Sequence, residues 1–404
     1  MPHQGSDPSV RSRAAVAGLA LCMLLSSLGI SLAAVGLPSL AQAWSAPLRQ
    51  VQWVLLAYLV ASTALVVHVG RLGDLAGRRR LLLAGLGLYT LGALIGGLAP
   101  SLGLLVAARA LQGLGAAAMA ALATALVGEA VPKAQAGRAM GLLGTASAVG
   151  TAAGPTLGGA LVAGFGWRAL FLLLVPLGAI AAGLVASGLP GGRRPMAPNR
   201  AEPLHRVLRG ALREPALAGG LAMSALVATV VMATLVVGPF HLSQALGLDA
   251  ASVGLAMSAG PLVTALGGVP AGHLADRFGA ARMVTAGLAA MAAGCGLLAV
   301  LPAALGVAGY VLPLVVLTAG YALFQAANNT AVMAGAAADR RGVLAGVLNL
   351  SRQLGLIAGA SAMGAVYAWA GLHAAFAAAA GLMGLALWIA RAGAVQRGRR
   401  EVLR

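Results

Sequence analysis

Three observations predict an all-α polytopic membrane protein, with twelve transmembrane helices in two pseudo-symmetric six-helix bundles and both termini cytoplasmic. The first is composition. Hydrophobic residues make up 60% of the chain and charged residues 9%, against about 25% charged in a soluble domain, and the mean hydropathy is +0.92. The second is where the charges fall. Arg49 and Arg168 lie in segments placed outside, and Arg109 and Arg352 lie inside apolar runs. Every other Lys and Arg falls in the termini or in alternate loops, which the positive-inside rule assigns to the cytoplasm. That pattern accounts for the net charge of +18 without nucleic acid and leaves some attraction to anionic lipid. The third is a repeat. Gly70-x-Leu72-x-Asp74-x-x-Gly77 returns as Gly272-His273-Leu274-Ala275-Asp276-Arg277-Phe278-Gly279, and the two aspartates are 202 residues apart in a chain of 404. Tandem duplication of a six-helix unit is the pattern of transporters built from two related bundles.

Residues 1–13 are polar and basic and form a cytoplasmic tail, and residues 14–36 form the first span. A basic stretch before an apolar run also describes a signal peptide. This run is long for one, and its removal would break the charge alternation downstream. The second span covers 51–69. Gly70-Arg71-Leu72-Gly73-Asp74-Leu75-Ala76-Gly77-Arg78-Arg79-Arg80 is too charged for lipid and reads as the turn of a helical hairpin. Spans three to six follow at 81–100, 102–127, 139–163 and 169–189, with Glu129, Lys133 and Arg138 marking the inside loop between the fourth and fifth. Residues 190–215 are rich in Pro, Gly and Arg and read as a cytoplasmic linker with a surface helix near 204–212. Six more spans fit at 217–240, 253–271, 284–301, 307–332, 343–368 and 374–389. The organisation is therefore an N-terminal bundle (1–189), a linker (190–215) and a C-terminal bundle (216–404). Cys22 and Cys295 both sit in apolar runs and read as buried free thiols, not a disulfide or a metal site.

Several residues stand out physically. Gly70 and Gly77 permit a tight turn, and Asp74 is placed to face a helix N-terminus. Gly150, Gly154 and Gly158 recur every four residues and make one smooth helix face, beside Pro155 and Gly159, suited to close helix approach in lipid. An arginine at a helix centre costs about 2.5–3.5 kcal/mol on insertion scales, so Arg109 is expected to face a cavity. The alternative is a structural arginine held by backbone carbonyls or Gln112. Arg352, within Asn349-Leu350-Ser351-Arg352-Gln353, is near enough to the cytoplasmic end to snorkel. Gln325, Asn328 and Asn329 share a helical face, either as a substrate contact or as interhelical hydrogen bonding.

Three of these stretches carry a family resemblance. The segment from Gly70 to Arg80 fits G-x-L-x-D-x-x-G-R-[RK]. Leu105-x-x-x-Arg109-x-x-Gln112-Gly113-x-Gly115 fits a fourth-helix motif. Gly141-(x8)-Gly150-(x3)-Gly154-Pro155-(x2)-Gly158-Gly159 fits an antiporter motif in the fifth helix. The chain resembles major facilitator superfamily transporters, close to the bacterial drug:proton antiporters of the multidrug efflux type, over nearly its whole length. The resemblance implies the major facilitator fold, an inner-membrane multi-pass location and a monomer. It further implies export of a lipophilic small molecule with the proton gradient as energy source and no cofactor. Gating is implied for Gly70, Asp74, Gly77, Arg78 and Asp276, with Asp74 facing the eleventh helix near Arg341-Gly342. Coupling of proton or substrate is implied for Arg109, Gln112, Glu129 and Arg352. Packing of helix five on helix eight between the halves is implied for Gly150, Gly154, Pro155, Gly158 and Gly159. Helices one, four, seven and ten line the pathway in this superfamily, and they supply Ser31, His241, Gln325, Asn328 and Asn329.

One departure matters. Related fourteen-helix antiporters carry an acid in helix one, within L-D-x-T-I-V-N-V-A-L-P. Here the stretch is Leu28-Gly29-Ile30-Ser31-Leu32-Ala33-Ala34-Val35-Gly36-Leu37-Pro38, and none of the nine acids lies deep in a span. Glu129, Asp74 and His241 remain as proton carriers, and transport without protons stays open. Positive fixed charge favours a neutral or weakly anionic substrate. A dedicated exporter of one endogenous metabolite and a non-transporting membrane sensor or assembly protein are the competing readings. An enzyme is not expected: no nucleotide loop, no metal-ligand cluster and no nucleophile–base pair is present.

Overall fold

The computed structural model describes residues 8–189, 214–334 and 341–402. The expected linker and its surface helix lie outside the described residues from 190 to 213, as do 335–340. The described chain is helical almost throughout. The long helices are α1 (Pro8–Ala43), α2 (Trp53–Ala76), α3 (Arg78–Leu98), α4 (Leu102–Ala130), α5 (Lys133–Phe165), α6 (Leu174–Gly188), α7 (Pro215–Phe240), α8 (Ala250–Phe278), α9 (Ala280–Ala334), α10 (Arg341–Ala358) and α11 (Gly364–Val402). Single turns at Leu48–Val51 and Ala169–Leu172 precede α2 and α6. Wider π turns at His241–Ala245 and Gly359–Met363 follow α7 and α10. Among the described residues, ten helical stretches are long and apolar enough to cross a membrane. The α9 stretch holds 55 residues, which at 1.5 Å per residue would be about 80 Å long, far beyond the roughly 30 Å hydrocarbon core. It is broken at Gly306 (φ 55°, ψ −127°), and α11 is broken in the same way at Gly371 (φ 76°, ψ −170°).

The chain divides into two compact units, one of Met1–Asn199 with Asp249–Gly254 and the other of Arg200–Leu248 with Leu255–Arg404. Within each, the same backbone devices recur at a spacing of 202 residues. Gly77 and Gly279 have φ of 89° and 86°, and each donates its N–H to the carbonyl four residues back, at 3.0 Å. Ser45 and Gly247 have φ of 47° and 67°. The charged segment between the second and third spans is not a loop, contrary to expectation. Gly70, Gly73 and Asp74 continue α2, and Arg78 already begins α3. The whole reversal rests on Gly77, whose conformation a side chain would strain.

Packing within each unit depends on small residues, as it must where lipid removes the hydrophobic drive between helices. In the first unit, Gly85 of α3 meets Ala118 and Gly115 of α4, and Gly92 meets Ala108 and Gln112. In the second, Gly287 and Gly294, 202 residues on, meet Gly320, Phe324 and Leu317 across the Gly306 break. Cys22 and Cys295 are buried and free.

Candidate functional site

The polar centre of the first unit is built around Arg109. Its side chain is 1% exposed on the second turn of α4, which is capped by Ser101 accepting from Leu104 N at 3.3 Å. The guanidinium donates from Nε to Val54 O at 2.9 Å and from Nη1 to Gln112 Oε1 at 2.5 Å. It lies over the Tyr58 ring at 4.3 Å and 6.0 Å from the Phe171 centroid, so aromatic faces supply part of its stabilisation. Nη2 is buried with no hydrogen-bond partner. Among the described residues no carboxylate touches this charge. Arg109 therefore sits sealed in its bundle and held by a backbone carbonyl and Gln112, the alternative arrangement, and does not face a cavity in this structure.

Tyr58 and Tyr89, which the sequence reading missed, complete this site. Tyr58 Oη donates to Ser26 O at 3.0 Å and Tyr89 Oη to Leu25 O at 2.6 Å. Tyr89 also explains the departure in α1, because a Cβ at Gly29 would collide with its hydroxyl. The space that a helix-one acid would occupy is filled by a phenol. A tyrosine inside an apolar run was the available signal, since a buried hydroxyl needs a partner.

The glycine motif packs on two helices: Pro155 and Gly159 meet the start of α8 as expected, and the other three glycines do not. Gly150 lies against Leu24 and Leu28 of α1, Gly154 against Ser31, and Gly158 against Leu32 and Leu170. These three glycines thus join α5 to α1 inside the first unit, not helix five to helix eight. Ser31 is corrected with them. It is 3% exposed and donates to Gly150 O at 3.2 Å, so in this structure it is an interhelical contact. Ser27 and Ser147, with hydroxyls 2.6 Å apart, extend the same seam. Gly159 and Pro155 are different. They meet Gly254, which belongs to the residues 249–254 that group with this unit, and a Cβ on Gly159 would fall 2.9 Å from Gly254 Cα.

The gating residues are brought together only in part. Arg78 Nη1 and Glu129 Oε1 form an ion pair at 3.3 Å, joining the start of α3 to the end of α4. Beside it, Arg79 Nη2 donates to Ala186 O at 2.6 Å and Ser12 Oγ to Ala130 O at 2.8 Å. Asp276 is exposed. The side chains of Asp74, Arg341 and Gly342 lie outside the described residues, and the expected Asp74 contact with them.

In the second unit, Arg352 is half-buried and donates to Asn349 Oδ1 at 3.2 Å. Asn328, Gln325 and Asn329 do not share one environment: Asn328 is buried, Gln325 half-buried and Asn329 exposed. Asn328 Nδ2 donates to Gly220 O at 3.3 Å, tying α9 to α7. It also lines a cavity of about 370 Å³ together with Glu214, Leu217, Met223, Val284 and Leu344. His241 opens the π turn after α7, with a half-buried ring whose Nε2 is sealed and without a partner. Outside the spans, Asp249 accepts from Ser252 N at 3.1 Å at the start of α8. Hydrogen bonds from the Ser252 hydroxyl and, less, from its N–H hold the Asp249 carboxyl below the usual aspartate range. No cluster of metal-ligating side chains occurs among the described residues.

A family model described as Major Facilitator Superfamily matches residues 19–360 and again 221–401. The uncharacterized transporter YebQ of Escherichia coli K12 is 30% identical, over 89% of this chain and 91% of its own length. The multidrug efflux pump LfrA of Mycolicibacterium smegmatis is 28% identical over 88% and 81%, and the riboflavin transporter RibZ of Clostridioides difficile 26% over 82% and 84%. The crystal structure of a bacterial homologue of the human lysosomal transporter Spinster superposes with a TM-score of 0.79, covering 96% of this chain and 98% of that one at 18% identity.

Proposed function

The chain belongs to the Major Facilitator Superfamily and is a membrane transporter, not an enzyme, and from that premise we propose that it exports lipophilic small molecules (drugs, antibiotics or metabolites) across the inner cell membrane by alternating access, in exchange for protons. The breaks at Gly306 and Gly371 support twelve spans, since each divides a stretch too long for one crossing. The concentration of Lys and Arg in alternate loops supports cytoplasmic termini.

The observation that carries the reading is Arg109: a guanidinium sealed inside a bundle, with one nitrogen unpartnered and no carboxylate in contact among the described residues. A charge buried in a membrane bundle is expensive and such residues are commonly functional; here Val54 O, Gln112 and the Tyr58 ring hold it in place of a carboxylate. A fixed positive centre favours neutral or weakly anionic lipophilic substrates and disfavours permanent cations. The resemblance to efflux pumps such as LfrA supports the outward direction.

The test is efflux of ethidium (cation), riboflavin (neutral) and fluorescein (anion) from cells lacking their own pumps, with and without a protonophore, in the parent and in Arg109→Ala. Lower accumulation that needs both the proton gradient and Arg109 supports the proposal. Ethidium as the best substrate would sink the charge argument. A second reading is a dedicated exporter of a single metabolite; the similarity to the riboflavin transporter RibZ supports a single-metabolite substrate. Movement of only one compound of the panel would select it.

A further inference from the structure

We propose that His241 is the group that carries the coupled proton in this exporter, in place of a membrane-embedded acid. The inference rests on the proton-antiport reading above and names the residue responsible.

The acids whose side chains are described, Glu129, Glu214, Asp249 and Asp276, are all exposed. Glu129 pairs with Arg78, and Asp249 caps α8. The α1 position where an acid would sit is blocked by Tyr89. Arginine does not release its proton in the range where cells work, so Arg109 supplies charge but no titration. Histidine is the side chain whose ordinary value lies in that range. Of the described histidines, His68, His273 and His373 are exposed. His68 and His373 each place Nδ1 3.1 Å from a carbonyl, of Ala64 and Ala299.

His241 differs in three respects. Its ring is half-buried, in touch with open space, while Nε2 is sealed among protein atoms with no partner. One imidazole thus connects an accessible side to the interior, the arrangement needed to take a proton from one and present it to the other. The residue opens a π turn (Leu246 N to His241 O, 3.2 Å), a local widening frequent at functional sites, directly after Gly238-Pro239-Phe240. Finally, the ring stacks on Tyr310 at 6.2 Å and 30°. Gly238 makes room for that tyrosine's hydroxyl, which reaches Thr234 O at 3.5 Å and Met257 Sδ at 3.8 Å. An aromatic face stabilises an imidazolium without fixing it as a salt bridge would. Tyr310 faces the ring from α9, and Tyr367 on α11 lies near Tyr310 in turn. Among the described residues no charged group pairs with His241.

The step is a proton transfer. Neutral imidazole takes one proton from the outer aqueous phase and becomes imidazolium. After the change of access it gives that proton to the inner phase, so one proton enters for each substrate molecule that leaves.

The full chain, His241→Gln and His241→Asn are reconstituted in liposomes and assayed with tritiated riboflavin, ethidium and fluorescein. Exchange is measured at equal pH, and accumulation under an imposed step of one pH unit. For the parent, accumulation should approach the about tenfold limit that one proton per substrate sets for each pH unit. The variants should keep a measurable exchange at equal pH and accumulate nothing beyond equilibrium under the pH step. A variant that accumulates like the parent overturns the proposal. Loss of exchange in both variants also overturns it, by making His241 a structural support. A parent that exchanges but ignores the pH step fails the antiport reading itself, before any variant is measured. Ring nitrogen NMR gives a substrate-free check: the signal missing in His241→Gln should change with pH, and a ring that stays neutral throughout refutes the assignment.

Discussion

Aspartate at position 29 would place a carboxylate where the Tyr89 hydroxyl now sits. A Cβ there already collides with that oxygen and approaches Cζ to 3.4 Å, so Gly29→Asp must push the phenol away from Leu25 O, its partner at 2.6 Å. Overpacking of this kind costs about 1–3 kcal/mol, and loss of the buried hydrogen bond about 1 kcal/mol more. Gly29→Asp alone should therefore destabilise the protein by about 2–4 kcal/mol. Tyr89→Phe alone should lose only about 1 kcal/mol, the hydrogen bond. In the double variant the colliding oxygen is absent and the hydrogen bond is lost only once, so the two effects should be less than additive by about 1 kcal/mol for the hydrogen bond and up to about 3 kcal/mol more for the relieved overpacking. Thermal unfolding of the four proteins in detergent, followed by helix content, closes the cycle. Strict additivity would show that the Tyr89 hydroxyl does not occupy the place of a helix-one acid, and the account of the missing acid would fall.

Two further outcomes are expected. Gly154→Leu drives a branched side chain into Ser31 and should separate α5 from α1, lowering stability by about 1–3 kcal/mol or more; the same change at Gly144, which has open space around its Cβ, is the control, and equal effects in the melting assay would contradict the seam. The folded state depresses the Asp249 carboxyl through its bonds to Ser252, so its contribution is complete above the ordinary aspartate value and is lost as pH falls through the lower folded value. Asp249→Asn should therefore flatten the acid limb of a melting-temperature profile below about pH 4, and an unchanged limb would assign acid sensitivity to other carboxylates.

Much of the fold was legible because lipid imposes simple rules: apolar runs and the side on which arginines collect place the helices, and the Asp74/Asp276 spacing announces a duplication that the Gly77 and Gly279 backbones repeat. The partners of the small residues were not legible. A face such as Gly150, Gly154 and Gly158 says that something approaches closely, but α1 and α8 would satisfy it equally in the sequence, and only the geometry selects α1. Local propensity also misled at the charged hairpin. Arginines there suggested a loop, yet residues flanking Gly77 are good helix formers, and one positive-φ glycine is enough to turn the chain. Around Arg109 the sequence identified Gln112 and the cost of the charge. It did not reveal that Tyr58 and Tyr89, on two other helices, close over the site.

The absence of an acid at position 29 has a physical consequence beyond packing. An antiporter with a carboxylate beside its buried arginine can neutralise that site by releasing and binding protons, so one place serves for both charge recognition and coupling. Here the first unit holds a positive charge that stays positive at every pH a cell meets, with tyrosine in the acid's place. Such a centre can bias selection by charge only through its field or when the bundle opens, and it cannot report the proton gradient. If export is proton-driven, titration must occur elsewhere, and the second unit offers His241 with one nitrogen sealed and unpartnered. Recognition and coupling would then sit in different units and be separable by mutation: changes at Arg109 should alter which compounds move, and changes at His241 should alter whether a pH step can drive them.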